Sequence, residues 1–487
     1  MLRISSLETV LFIGEFLRDS GFDVAHLGSD LGLGDGLYAN QENLEPLLAR
    51  TAGDSRLAVL ARLFFVCWPV EEARCRAYLP ESFLTAAFEC GLLVKEAGDF
   101  ASSSCLFPFR SRLIACDSSR TRGTLVDMVT GPSASTHYPV RLGIGGEHET
   151  TLDLGTGTGA LALEAARYSR SVVGTDINPR ALQFAEFNAA LNNVTTVEWR
   201  CGDAFAPVAG QRFTRIIANP PFFLTPAHTY TYCDSPLELD GFTARLASEC
   251  ATYLEEGGFY QMICEWVELE GQPWQQRLRE WTSESGCDVL VLTAPLLTPL
   301  AYAEKRTNES RLMQAGVPEH SFSDRYRYLT SRTVTHIIGG VITMRKRSGC
   351  VNWFSVVNTD PVGNEIGADV RARFDALTFL SLHDETQLLA TKLRLAPNIV
   401  LNRLCNAGVD EWQTQSVDLV KATGLIDKLR LDETVSLHIP LFDGARTLLD
   451  VAAVVSEHLQ VGIEDAQQRC LQLAKRLLQS NFVLIEQ

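Results

Sequence analysis

The residues best able to do chemistry stand in one ordered series. Asp153-Leu154-Gly155-Thr156-Gly157-Thr158-Gly159 sets three alternating glycines behind a carboxylate. Glycine there lets the chain turn sharply and lets a ligand approach the main chain. Asp176 and Ile177 follow, and a carboxylate at that distance can accept both hydroxyls of a ribose. Cys201-Gly202-Asp203-Ala204 adds a further acid, and Asn219-Pro220-Pro221-Phe222-Phe223 closes the series. Two prolines cannot donate hydrogen bonds, so a strand running into them must stop. What remains is a stiff turn offering one amide side chain and an aromatic face.

Two ligands fit a glycine loop of this kind. A dinucleotide rests its pyrophosphate on the helix N-terminus and favours G-x-G-x-x-G. Here the glycines fall as G-x-G-x-G, with Ala160 at the sixth place, and Asp153 just before the loop would repel a pyrophosphate. That acid suits a ligand carrying an amino group and a sulfonium, namely S-adenosylmethionine. A structural turn without ligand is the bland alternative, and the three acids together weigh against it.

The elements that must position these residues alternate. TTLDLG is a short apolar strand, TGALALEAARYS a helix, SVVGTD a strand, PRALQFAEFNAALN a helix. VEWRCGD and RFTRIIANP continue as strands, with helices near 236–253 and 271–283, the strand CDVLVLTA, a helical stretch over 299–331 and a last strand in TVTHIIGGVITMRK. Strands alternating with helices predict βαβ crossovers and a parallel, doubly wound sheet. Before it, helices over 6–19, 41–50, 55–66 and 80–90 lead into alternating segments that read as a small β-wing. After it, strands near 350–358 and 396–402 and helices near 447–459 and 463–479 form another unit. The expected division is 1–125, winged-helix-like; 126–346, the doubly wound sheet; and 347–487, an α+β unit, again winged-helix-like.

Glycine loop, Asp176, Asp203 and Asn-Pro-Pro-Phe at successive strand ends resemble a class I methyltransferase, specifically the HemK-like small methyltransferase domain. The resemblance covers about residues 130–345. The three-part layout resembles long bacterial HemK-related methylases whose flanks have no assigned role. It implies a Rossmann-like sheet and S-adenosylmethionine bound by Asp153, Gly155, Thr156, Gly157, Gly159, Asp176, Ile177, Asp203, Ala204 and Asn219. It implies an acceptor bearing a planar NH₂, held by Asn219, Pro220, Pro221, Phe222 and Phe223, with Asn219, Pro220 and Phe222 catalytic. Phe223 reads equally as core. Tyr230, Tyr232 and Asp234 are candidate wall contacts, or parts of a loop without chemistry. Residues 131–143 occupy the place where relatives cover the methionine end of the donor.

The motif leaves the acceptor open. A net charge of −16, spread over all three parts, excludes a general basic surface for nucleic acid and favours a protein or peptide amide. Arg110, Arg112, Arg120 and Arg122 are the one local cluster of cations, read as solvated surface. An aromatic that could stack on a base keeps a nucleobase amine open, and a non-catalytic binding scaffold is the alternative from another class. HemK proper is shorter, has an N-terminal helical bundle and carries a tyrosine in place of Phe222, so release-factor modification does not carry over to this chain. The 13 cysteines stand singly, without a C-x-x-C pair, and the nine histidines are isolated, so no metal site is expected. With no apolar run of about 18 residues the chain reads as cytoplasmic, with a macromolecular acceptor and no membrane partner.

Overall fold

The computed structural model describes residues 2–32, 44–118, 120, 125–144, 148–227, 230–313, 320–358, 366–407 and 412–486. Arg122 and positions 41–43 of the second expected helix lie outside them. The chain divides into two compact units. One holds Met1–Val140, Gly146–Ser285 and Pro295–Lys346, and the other holds Arg141–Gly145, Gly286–Ala294 and Arg347–Gln487.

In the first unit, strands lie side by side in the order Val334–Lys346, Leu254–Leu269, Phe213–Ala218, His148–Leu154, Ser169–Asp176, Val197–Cys201. Val334–Lys346 runs antiparallel to Leu254–Leu269 and the other pairings are parallel. This is the α/β, doubly wound class read from the alternation. In one interior strand Phe213, Ile216, Ile217 and Ala218 are all buried, so both of its faces are covered. The register matters most for function. Leu154 pairs with both Thr175 and Ala218, and Asp176 pairs with Cys201. Gly155, Asp176 and Asn219 therefore leave the sheet at one level, on its carboxyl edge, where doubly wound folds bind ligands.

The helix Pro179–Leu191 fixes the loops on that edge. Asn178 caps it by accepting the Arg180 amide, and proline occupies its first position, where a missing N–H costs nothing. Its buried face completes the apolar core of the N-terminal region through Ala181, Phe184, Phe187 and Leu191. That region contains the helices Leu7–Asp19, Arg56–Leu60 and Glu81–Glu89, then the hairpins Leu93–Glu96/Asp99–Ser102 and Ser104–Phe109/Arg112–Asp117. The helix expected over 55–66 is α-helical only to Leu60. A π-turn follows over Ala61–Phe65, closed by Val66 N–H donating to Ala61 O, and it brings Leu63, Phe64 and Phe65 into the core together.

Two carboxamides join the second hairpin to this helix. Asn188 donates to Ala115 O (3.0 Å) and Thr158 O (2.9 Å) and accepts the Ala115 amide (2.7 Å). Asn192 likewise accepts the Leu113 amide (2.9 Å) and donates to Leu113 O (2.7 Å). The side chains act as a missing strand for the hairpin's open edge, and Asn188 also steadies the glycine loop at Thr158. Asn188→Ala strands three buried backbone groups, so a loss of about 3 kcal/mol is expected, measured by denaturant unfolding. The arginines of the sequence cluster are engaged here too. Arg110 and Arg112 face Glu164 at 3.7 and 3.9 Å, and Arg120 pairs with Glu96 at 2.6 Å.

In the second unit, Cys287–Thr293 pairs in parallel with Phe354–Asn358. The strands Ile399–Ala407, Trp412–Lys421 and Lys428–Leu431 form an antiparallel sheet. The helices Leu448–Leu459 and Ile463–Gln479 pack over a common core with Leu388, Leu393 and Phe442. The helix Gly367–Leu382 was not anticipated. Its apolar residues are distributed around the whole cylinder, so no single stripe marks it.

Candidate active site

Asp153, next to the end of the strand His148–Leu154, is fully buried, 1 % exposed. Its Oδ2 accepts from Thr156 Oγ1 (2.5 Å) and from the Ala162 amide (2.9 Å), so one carboxylate braces the glycine loop at both ends. Burial pushes its carboxyl up to about 7, against those two hydrogen bonds, with Asp176 raising it and Arg215 lowering it. Gly155 and Gly157 take φ of +72° and +55°, and a Cβ at either would meet nothing within 4 Å. The loop therefore bares its backbone to open space in a conformation that glycine alone adopts without strain.

Asp176 accepts the Gly157 amide through Oδ2 and the Asn178 amide through Oδ1, both at 2.8 Å. Burial raises its carboxyl despite these bonds. Beside it Ile177 is 62 % exposed, an apolar side chain left facing solvent at the crevice. Asp203 lies further along the edge and is exposed, with its Oδ2 accepting from Arg245 at 2.9 Å. Ala204 follows with a φ of +44°, in the left-handed region.

Asn219 is half-buried, and its Nδ2 donates to Ser135 Oγ at 3.3 Å. Ser135 sits on the short helix Ala134–Arg141, inside the segment the sequence reading placed over the donor, although it was not singled out there. Pro220 is buried and Pro221 half-buried. The Phe222 and Phe223 rings meet edge to face at 5.5 Å. Phe223 is also held by its backbone: its N–H donates to Cys233 O (2.8 Å) and its carbonyl accepts the Ser235 amide (3.0 Å). The loop carrying Tyr230, Tyr232 and Asp234 is thereby tied to the turn. Asp234 is buried and accepts the Tyr230 amide at 2.9 Å, which gives that carboxylate a structural bond within the loop.

A short strap that the sequence reading missed crosses between these loops. Asp127 O accepts from Asn178 Nδ2 and Arg180, both at 2.9 Å, while Val126 O accepts the Thr231 amide at 3.2 Å. Arg180 also pairs with Asp117 at 2.7 Å, and Asp117 accepts the Val129 amide at 2.7 Å. The strap thus links the Asp176 loop to the Tyr230 loop. No spacing rule signals such a connection, because each partner comes from a different part of the chain.

Strand ends, glycine loop and Asn-Pro-Pro-Phe turn thus share one edge of the sheet. The methyltransferase small domain matches residues 142–265. The release factor glutamine methyltransferase of Aliivibrio fischeri is 34 % identical over 118 residues, 24 % of this chain and 38 % of its own length. That of Cereibacter sphaeroides is 31 % identical over 187 residues, 36 % of this chain and 63 % of its own. The chain is similar to the HemK-like class I methyltransferases. In each of these matches the chain spans less than two thirds of the relative's own length. Residues 20–103 match a domain of unknown function. Among solved structures, a methyltransferase from Pyrococcus furiosus aligns over 47 % of this chain and 93 % of its own at 14 % identity, with a TM-score of 0.28. Among the described residues, no helix is long and apolar enough to cross a membrane.

Proposed function

We propose that this protein transfers a methyl group from S-adenosylmethionine to a planar NH₂ nitrogen, and that the acceptor is a glutamine side chain of a protein. The single observation that carries the reading is the level register of Gly155, Asp176 and Asn219 on adjacent strand ends, which sets a donor loop beside an amide-bearing turn.

The residues fit the donor. The Gly155 and Gly157 backbone faces open space, Asp176 offers carboxylate oxygens to ribose hydroxyls, and Ile177 offers an apolar face to a purine. Asp153 Oδ1 is buried without a hydrogen-bond partner among the described residues, a site for a cationic amino group. Asp203 keeps an oxygen beyond the one bonded to Arg245, available to an exocyclic amine. When bound, the donor supplies an electrophilic methyl on a sulfonium.

On the acceptor side, an amide or aromatic NH₂ is a poor nucleophile because its lone pair is delocalised. Asn219 Oδ1 and the Pro220 carbonyl accept its two hydrogens. These acceptors favour the positive charge that develops on nitrogen and draw the lone pair out of conjugation, a preorganised electrostatic effect. Ser135 Oγ engages Nδ2, which fixes the carboxamide so that Oδ1 is the face presented. Phe222 lies against the flat group and orients it. Proton loss follows transfer, since the methylated nitrogen is strongly acidic, and requires no tuned base. The protein acceptor is supported by the acidity of the whole chain and by relatives that carry the glutamine methyltransferase name.

The raised Asp153 carboxyl gives the reading a pH signature. The ionised form attracts the donor's cation, so donor affinity is expected to rise roughly tenfold between pH 6 and 8 and then level, with Asp153→Asn flattening the profile. Calorimetric titration with S-adenosylmethionine measures this. Folding stability should move the other way. The folded chain keeps the Asp153 proton up to about 7, whereas the unfolded chain releases it near about 3.9. Stability therefore falls as pH rises through that window and is level above it. Turnover itself is tested by incubating the protein with donor and a cell extract. Release of S-adenosylhomocysteine beyond the protein-free control is expected, and tight donor binding without release would reduce the protein to a binding scaffold.

A further inference from the structure

Directly behind the Asn-Pro-Pro-Phe-Phe turn lies a buried ionic cluster outside the donor and acceptor groups described above. Arg306, on the helix Pro299–Met313, lays its guanidinium over the Phe223 ring, 3.5 Å from the centroid. Glu265, on the strand Leu254–Leu269, pairs with one end of that guanidinium, and Glu309 with the other at 2.5 Å. Tyr302, one helical turn before Arg306, donates to Glu265 Oε2 at 2.6 Å and accepts the Leu224 amide at 3.1 Å. Arg306 is 6 % exposed. Its burial works against its charge, but Glu265, then Tyr302 and Glu309, outweigh that and hold the guanidinium above its ordinary range.

Burying an arginine between two carboxylates is a costly way to fill space, and apolar packing of the same volume often serves stability as well. What the ionic cluster adds is a single fixed geometry. A guanidinium is planar and forked, so it can stack on one ring face while meeting carboxylates at its edges. Phe223 is thus held from its face by Arg306 and along its backbone by Cys233 and Ser235, and Leu224 is held by Tyr302. These holds act on the residues immediately after Phe222. Resting on the methyl-transfer reading above, we infer that Arg306 is a positioning residue: through the face of Phe223 it fixes the turn that presents Asn219, Pro220 and Phe222 to the acceptor.

The test uses the full chain, tritiated S-adenosylmethionine and the protein of a cell extract, comparing maximal rate with the donor's KM. Small displacements of a reacting group cost rate far more than binding. Arg306→Ala and Phe223→Leu are each expected to lower the maximal rate by about tenfold or more while the donor's KM stays within about twofold. The double variant should be no slower than Arg306→Ala by more than about twofold, because both remove one contact. Arg306→Lys keeps the charge without the plane and should recover only part of the rate. Removing Arg306 leaves Glu265 buried without its cation, so the folded fraction is checked by circular dichroism. If Arg306→Ala does not fold, Phe223→Leu, which keeps apolar volume, decides alone. Unchanged rates in folded variants, or losses that simply multiply in the double variant, would overturn the inference. A wild-type protein that binds donor yet labels nothing overturns instead the methyltransferase reading on which it rests.

Discussion

Replacing Asn219 with alanine is expected to lower the transfer rate by about 10²–10³-fold while donor affinity stays within about twofold. The size follows from where the side chain acts. In the proposed reaction its Oδ1 accepts from a nitrogen that is barely charged before reaction and strongly charged during it, so the interaction strengthens only as the bond forms. Removing one preorganised partner of that type costs about 3 kcal/mol in other enzymes. Donor affinity should hold because the glycine loop and Asp176 are braced independently of Asn219: Asp153 bonds Thr156 and Ala162, and Asp176 bonds Gly157 and Asn178. Asn219→Asp is the sharper control. A carboxylate keeps the acceptor oxygens, so part of the rate survives, whereas it cannot donate to Ser135 as the amide does. Steady-state rates with labelled donor, alongside calorimetric donor titration, separate the two effects.

Asp176→Ala should do the opposite, abolishing donor binding more than it alters the chemical step. The carboxylate steadies the loop through Gly157 and Asn178, and in the proposed donor complex it also offers oxygens to the ribose. Charge-assisted hydrogen bonds of this kind contribute about 1.5–3 kcal/mol each, so losing two weakens donor affinity by more than a hundredfold, on the order of 3 kcal/mol or above. Calorimetry reads this directly. Retained affinity in Asp176→Ala would mean that the donor sits elsewhere.

The contrast between these residues and the rest of the site shows what a single sequence can disclose. The place of Asp153, Gly155, Asp176 and Asn219 was legible because each lies at or beside the end of a strand, and their level register follows from the parallel pairing itself. Chain order and strand alternation are local signals, and the doubly wound sheet is their direct consequence. Ser135, Arg180 and Arg306 were not legible as site residues. Each reaches its partner across a sequence separation of 63 to 84 residues (Arg180 to Asp117, Arg306 to Phe223, Ser135 to Asn219), and only packing brings them together. The same holds for Asn188 and Asn192, which read as ordinary helical asparagines yet pair with a hairpin edge. Phe223 stood evenly between core and pocket, and its ring is covered by Arg306 on one face. The helix Gly367–Leu382 escaped notice for a different reason: without one apolar stripe its periodicity carries no signal.

The central claim is that the methyl group ends on a protein amide nitrogen, and one measurement addresses it most directly. The full chain is incubated with tritiated S-adenosylmethionine and a cell extract, equal portions are treated with protease or nuclease, and labelled peptides are sequenced by fragmentation. Label lost to protease, kept after nuclease, and assigned to a glutamine side chain is the predicted result. Label released by nuclease, and found on a base, would contradict it.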